Sequence, residues 1–192
     1  MRVMGEPRWQ VDPEAAAYRA LYEAHYSRIA SYCSRRAGHT HADDLAAEVF
    51  AVAWRRRDTV PGGDATLPWL YGVAFRVVSR YWRSSRRRRR LSARVAGLAA
   101  VRPDEPEALT VRYAEYRTML SALDRLRPLD QEVLRLAVWE ELPHAEIAAA
   151  VGSTEQAVRQ RFRRAKKALA DEFERIGGSL PPEAVAREGG VT

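Results

Sequence analysis

Leu142-Pro143-His144-Ala145-Glu146-Ile147-Ala148-Ala149-Ala150-Val151-Gly152-Ser153-Thr154-Glu155-Gln156-Ala157-Val158-Arg159-Gln160-Arg161-Phe162-Arg163-Arg164-Ala165-Lys166-Lys167-Ala168-Leu169 reads as two helices with a turn between them. Pro143 suits the first turn of a short helix, where a missing N–H does no harm. Ile147, Ala148 and Val151 form the inward side of that helix. Gly152 supplies the turn, and Thr154 offers a side-chain oxygen to cap the next helix. There Val158, Phe162, Ala165 and Leu169 recur at steps of four, three and four, a single apolar stripe. At about 100° per residue, Gln156, Arg159, Gln160, Arg163 and Lys167 lie on or near the opposite side. A short helix, a glycine turn and a basic second helix form the arrangement that enters a DNA major groove. Arginine and glutamine can read guanine and adenine edges there by paired hydrogen bonds. The competing reading is a plain helical hairpin with a solvated basic face. Arg159 to Lys167 contains six basic residues and no acidic one, whereas an ordinary exposed helix mixes signs to gain ion pairs along its length. That composition favours DNA.

Upstream of this pair, Leu109, Tyr113, Tyr116, Leu120 and Leu123 make a helical stripe that Pro128 breaks. Leu129, Val133 and Leu136 begin the next helix. Further back, Arg102-Pro103-Asp104-Glu105-Pro106-Glu107 is a proline-bearing acidic segment that reads as a linker. The tail from Gly177, with Pro181-Pro182, reads as disordered.

The first block is helical too. Tyr18, Leu21, Tyr22, His25, Ile29 and Tyr32 trace one long amphipathic helix after Asp12-Pro13, ended by Gly38-His39-Thr40-His41. Asp43 and Asp44 are expected to open a second helix, where carboxylates favour the positive helix start. Asp58 to Pro68 reads as a loop, and a third helix is expected from about Trp69 to Arg83. On that helix Arg76, Arg80 and Arg83 share one arc with Trp69, while Leu70, Val73, Ala74, Val77 and Tyr81 fill the apolar side. Guanidinium groups beside an exposed aromatic suit single-stranded nucleic acid. Taken alone, the stripe fits equally well with core aromatics and solubilising arginines. Arg86 to Arg90 reads as a mobile charged segment able to bind phosphates without sequence preference.

No stretch alternates as a strand does. The expected class is therefore all-α: two small helical domains, residues 14–90 and 108–176, joined by a flexible linker over 91–107 and followed by a tail over 177–192. The net charge of +7 over 192 residues is concentrated around Arg76–Arg90 and Arg159–Lys167, which points to a polyanion touched twice. No apolar run is long enough for a membrane span, so no membrane insertion is expected. Without the apolar run of a signal peptide at its start, the chain reads as soluble and cytoplasmic. The single cysteine, Cys33, has no internal disulfide partner and continues an apolar helix face, so it reads as buried and inert. His25 reads as a core or boundary residue. Cys33, His39 and His41 make only a partial zinc set, and Asp43, Asp44 and Glu48 have no further ligand nearby in sequence. No catalytic triad pattern, phosphate-cradling glycine loop or H-E-x-x-H occurs, so neither an enzyme nor a cofactor is expected.

The ordered motifs resemble bacterial RNA polymerase sigma factors of the extracytoplasmic-function (ECF) group. Asp43-Asp44-Leu45-Ala46-Ala47-Glu48-Val49-Phe50 through Trp54 is similar to the clamp-binding helix of region two, and Pro68-Trp69-Leu70-Tyr71-Gly72-Val73-Ala74 to the start of its promoter-reading helix. Leu126-Arg127-Pro128-Leu129-Asp130-Gln131-Glu132-Val133-Leu134 resembles the opening of region four; Glu146-Ile147-Ala148 and Val158 to Ala165 resemble its helix-turn-helix. The resemblance implies a chain that binds the clamp and flap of core RNA polymerase and directs promoter recognition. Region two would capture the melted strand of the minus-ten element, and region four would read the minus-thirty-five duplex. It implies Arg159, Gln160, Arg163 and Arg164 at the duplex, with Gln156 and Lys167 on the same face. It also implies Trp69, Arg76, Arg80 and Arg83 at the melted strand, Asp44 and Glu48 at the clamp, and the linker's acidic residues in the path of RNA. An anti-sigma factor is a further partner common in the group. Arg76 stands where many relatives have Asn, Pro143 where many have Ser or Thr, and Gln156-Ala157 where Gly-Thr is frequent. Two other classes compete: a stand-alone helix-turn-helix regulator that binds duplex DNA without polymerase, and a metal-dependent hydrolase acting on nucleic acid through Asp44 or Glu48.

Overall fold

The computed structural model describes residues 13–96 and 111–178. Among these residues the chain is helical, with no strand. Its elements are α1 (Pro13–Ala37), α2 (His39–Arg55), two short 3-10 turns (Arg57–Thr59 and Gly63–Ala65), α3 (Thr66–Ala96), α4 (Val111–Arg125), α5 (Pro128–Val138), α6 (His144–Val151) and α7 (Glu155–Arg175). The all-α class read from the sequence is the class observed. The chain separates into two compact units, divided between Arg83 and Ser84, within α3.

In the first unit α1 and α2 are separated by one residue. Gly38, at φ 82°, takes a left-handed conformation that costs glycine little. Its N–H donates to the Ser34 carbonyl at 2.9 Å, and the Ser34 hydroxyl and His39 Nδ1 lie 2.9 Å apart across the break. Helix α2 therefore starts at His39 and not at Asp43. The expected place of Asp43 and Asp44 at the helix start is thereby corrected: both sit a full turn inside the helix, and Asp43 instead accepts a hydrogen bond from the Tyr26 hydroxyl at 3.0 Å. That bond holds the Tyr26 proton on, raising its pKa above the usual tyrosine value, with burial adding to the effect.

Helix α3 begins three residues before the expected Trp69, with the buried Thr66 hydroxyl donating to the Pro61 carbonyl at 2.6 Å. It then continues well past Arg83 to Ala96. Arg86 to Arg90 are helical, not a loose charged segment, and residues 91–96 belong to the same helix and not to the linker. The physical reason lies in composition. From Val73 to Ala96 there is no proline or glycine, arginine is a good helix former, and the next breaker in sequence is Gly97. The rest of the expected linker, and residues 179–192 of the expected tail, lie outside the described residues.

The core of this unit joins three apolar stripes: Ile29, Tyr32 and Cys33 of α1; Leu45, Ala46, Val49, Phe50 and Ala53 of α2; Leu70, Val73, Ala74 and Val77 of α3. Each large apolar side chain so enclosed contributes about 1.5–3 kcal/mol. The rings of Tyr32 and Tyr71 meet at 5.4 Å, and Trp82 Nε1 donates to the Arg36 carbonyl at 3.1 Å, which fastens α3 to the end of α1. The Arg36 guanidinium lies 3.5 Å over the Tyr32 ring, a buried cation held by a π face.

The second unit packs α4, α5 and α6 on α7 around Leu123, Leu134 and Ala165, flanked by Leu126, Trp139, Phe162 and Leu169. Val133, Leu136, Ile147 and Val158 are fully enclosed. Tyr116, expected in the buried stripe of α4, is instead 53% exposed. It lies more than a turn before Ala122 and Leu123, the buried residues among those whose side chains are described in this helix. Leu109 and the Tyr113 side chain lie outside the described residues. After α7 the Gly178 N–H donates to the Phe173 carbonyl at 2.9 Å, so Gly177 and Gly178 close the helix and do not belong to a loose tail.

Cys33 is wholly buried, and burial pushes its thiol up to about 12 against a smaller opposing pull from Arg36. The thiolate is the reactive form, so iodoacetamide at mildly alkaline pH is expected to leave the native chain unmodified and to label it once denatured. Rapid labelling of the folded protein would contradict this packing.

Candidate nucleic-acid interface

The outward face of α7 is set by what the helix buries. Val158 and Ala165 are 1% and 2% exposed, with Phe162 and Leu169 half-buried beside them. This leaves Gln156, Arg159, Gln160, Arg163, Arg164 and Lys167 in solvent, all six on one side. The turn before the helix is built as its residues dictate. Gly152 sits at φ 69°, and the Ser153 N–H returns to the Ala148 carbonyl at 2.9 Å, closing α6. The Thr154 hydroxyl accepts from the Ala157 N–H at 3.2 Å and caps α7. Pro143 stands just before α6 as its N-terminal flanking residue, one position outside the expected first turn, and provides no side-chain cap. The His144 ring meets Phe162 edge-on at 5.2 Å, which ties the start of α6 to α7.

Not every basic residue of α7 is available to a ligand. Arg161 turns to the buried side and pairs with Asp130 of α5 at 2.6 Å, with side chains 33% and 23% exposed. That role was readable from its place on the apolar side of the wheel, but its partner was not. Arg159 is paired with Glu155 one turn earlier at 2.5 Å. The pair is exposed and so weak, and it holds the guanidinium at the start of the helix, the part that reaches base edges in this motif.

In the first unit the expected strand-binding residues lie along α3. Arg76, Arg80 and Arg83 are exposed and Trp69 is half-buried, so its ring is only partly free to stack on a base. Arg83 Nε also donates to the Ser79 carbonyl one turn back at 3.3 Å. Asp44 is exposed on α2, while Glu48 forms an ion pair with Arg80. The resemblance implies different partners for these two residues, polymerase for Glu48 and DNA for Arg80. The structure joins them: the charges meet between α2 and α3, which also touch where the His41 and Tyr81 rings lie 5.0 Å apart. A feature missed in the sequence is the aromatic ladder along α1 and α2. Tyr18 and Trp54 meet edge-on at 4.9 Å, Tyr22 stacks on Tyr26 at 4.9 Å, and Arg57 lies over Trp54 at 5.2 Å while pairing with Glu14 at 2.6 Å. Trp54 and Tyr22 remain 38% and 37% exposed. The repeat of Tyr18, Tyr22 and Tyr26 at steps of four was the available signal.

Among the described residues no three histidine, cysteine, aspartate or glutamate side chains gather as metal ligands, and no helix is long and apolar enough to cross a membrane. Burial lowers the pKa of His25 below the usual value, with Arg28 adding to the shift, which suits a boundary residue kept neutral.

The fold and this face define a helix-turn-helix protein with a solvent-facing basic reading helix. Residues 21–88 match the Sigma-70 region 2 family and residues 116–169 match Sigma-70, region 4. The RNA polymerase sigma factor YlaC of Bacillus subtilis is 29% identical over 151 residues, 78% of this chain and 87% of that protein. The ECF RNA polymerase sigma factor SigD of Mycobacterium tuberculosis is 31% identical over 191 residues, 92% of this chain and 89% of that one. The fold is shared with the sigma factor RpoE of Bartonella quintana, solved with the anti-sigma factor NepR. The TM-score is 0.55 at 18% identity, covering 82% of this chain and 97% of that one. The chain belongs to the ECF group of RNA polymerase sigma factors, the dissociable subunits with which the core enzyme recognises promoters and begins transcription.

No neighbouring atom lies within 4 Å of a Cβ built on Gly152, so a substitution there acts through the backbone alone. Gly152→Ala is expected to lower stability by about 1–2 kcal/mol, and Gly152→Asn by less, measured as shifts of the denaturant midpoint at constant slope.

Proposed function

We propose that the two units divide promoter recognition between them, with residues 14–90 docking on the polymerase clamp and holding the melted minus-ten strand. Residues 108–176 then meet the flap and read the minus-thirty-five duplex. The observation that carries this reading is the outward face of α7: six polar or basic side chains exposed opposite Val158 and Ala165, behind a capped three-residue turn. Gln156, Arg159, Gln160, Arg163 and Arg164 reach base edges and phosphates of the duplex, and Lys167 adds a phosphate contact. Trp69, Arg76, Arg80 and Arg83 serve the melted strand, where guanidinium groups hold phosphates and a partly open ring offers a stacking edge. Asp44 and Glu48 present carboxylates to the clamp. In this role the chain makes and breaks no covalent bond and works in the cytoplasm. An anti-sigma factor joins polymerase and promoter DNA among its partners, by extension from the complex of the Bartonella relative. The sigma-factor kinship also favours this reading over a regulator acting without polymerase.

Run-off transcription from a genomic promoter library with core polymerase and the full chain tests the proposal. Specific start sites and an opened bubble are expected, and a folded chain that yields neither contradicts it. Within that assay, Arg163→Ala is expected to weaken minus-thirty-five binding about ten- to a hundredfold, with core association unchanged. Asp44→Ala combined with Glu48→Ala is expected to do the reverse, measured by retention of core enzyme on the immobilised chain. Equal loss of both activities in both variants would end the proposed division of labour.

A further inference from the structure

The apolar seam that buries α7 resists separation better than rotation. Its two enclosed side chains, Val158 and Ala165, are short, and Phe162 and Leu169 are only half-buried beside them. Helices packed through ridges and grooves scatter by about 15–20° in their packing angle. Arg161 stands where a bond can remove that freedom. At about 100° per residue it lies about 70° round from the middle of the seam and about 60° from Arg164, on the border between the buried and the open side. From there its Nη1 donates to Asp130 Oδ1 at 2.6 Å, across 31 positions of sequence. Asp130 is a firm anchor. It belongs to the first turn of α5, where the helix start favours a carboxylate. Its neighbour Gln131 donates to the Leu126 carbonyl at 2.9 Å and to the Asp124 carbonyl at 3.2 Å, and Val133 and Leu136 further along α5 are fully enclosed.

We infer that Arg161 is a positioning residue for duplex recognition: through Asp130 it sets the roll of α7 about its own axis, and with it the aim of Arg159, Gln160 and Arg163. This role rests on the reading of α7 as the helix that enters the minus-thirty-five groove. A bond on the flank matters at the bases because of leverage. Side-chain tips on an α-helix stand about 5–6 Å from the axis, so a roll of about 10° moves them by about 1 Å. Hydrogen bonds to base edges span a window of only about half an ångström. Phosphate contacts, made by long arms to a continuous row of charge, tolerate such a shift. Arg161 therefore governs which sequence is bound more than how strongly DNA in general is held. Part-buried ion pairs are poor sources of stability, and fixing one arrangement among several is the use to which they are suited.

Three variants of the full chain test this. Asp130→Leu with Arg161→Met removes the bridge, leaves no lone charge beside the seam and keeps the net charge. Asp130→Ala removes the anchor and spares Arg161, and Asp130→Glu retains the pair. The probes are a duplex enriched from a randomised pool by the wild-type chain and a scrambled duplex of the same length and composition. Fluorescence anisotropy gives the ratio of the two affinities, and circular dichroism checks that each variant folds. A merely structural role lowers the folded fraction and scales both affinities alike, so it leaves the ratio unmoved. The double variant and Asp130→Ala are each expected to lose about ten- to a hundredfold of the ratio, the worth of a misplaced paired contact to a base edge. The double variant is expected to bind the scrambled duplex as wild type does, and Asp130→Glu to keep most of the ratio. Asp130→Ala carries the expectation alone if the double variant does not fold. A ratio kept by Asp130→Ala but lost in the double variant would mean that Arg161 touches DNA itself, and overturns the positioning role. So does an unchanged ratio throughout, an equal fall in Asp130→Glu, or a pool in which no sequence is enriched. Run-off transcription with core enzyme is read on the same proteins. A wild-type chain that enriches a duplex yet starts no transcript overturns the promoter role, while the ratios still decide the positioning of α7.

Discussion

Helix α7 has only one side that can be buried, and Val158, Phe162, Ala165 and Leu169 occupy it. Everything the second unit offers to a ligand follows from that. The remaining side must be solvated, and it is filled with polar and basic residues, whose side chains have the donors that bases and phosphates accept. The turn at Gly152 and the cap at Thr154 fix where the helix begins, which places Gln156, Arg159 and Gln160 in its first turns. The face is a consequence of packing before it is a device for recognition. The energy that positions it comes from apolar side chains on the far side of the helix.

The first unit reaches a similar end by a different balance. Its three helices enclose a conventional apolar core, and the other side of α3 exposes Arg76, Arg80 and Arg83. The Trp82 hydrogen bond to the Arg36 carbonyl and the Tyr32–Tyr71 contact hold its inner half firmly. The exposed arginines carry the opposite tendency, since they repel one another. The Glu48–Arg80 pair eases that conflict locally. Two patches of positive charge on one chain thus have different origins: one is the leftover side of a packed helix, the other a helix with nine arginines and no acidic residue of its own.

Much of this was legible in the sequence where local signals agreed. Gly152, Thr154 and the unbroken apolar steps of α7 each pointed to the same turn and the same face. Five of the six exposed residues of that face are those the wheel selected, and the sixth, Arg164, is one that only the resemblance implied. Legibility failed where one residue carried two messages. The arginine run looked like a solvated, mobile stretch because charge density was weighed above the lack of any helix breaker. Asp43 and Asp44 looked like helix openers because the break was spread over four residues, when Gly38 alone makes it. Tyr116 fits the spacing of a buried stripe, yet half of its surface is exposed, and the buried side chains described in α4 are Ala122 and Leu123. The pairs Glu48–Arg80 and Arg161–Asp130 link separate helices, so no local pattern announces them.

Arg161 has a consequence for anyone wishing to redirect this protein to a new DNA sequence. It sits among the basic residues of α7, yet it braces the helix against α5 through Asp130. On the reading proposed above, the outer face is the part of α7 where side chains can change without touching that brace. Arg161 and Asp130 belong to the chassis, and a graft that carries the whole basic stretch across as one block would remove the strut along with the lettering.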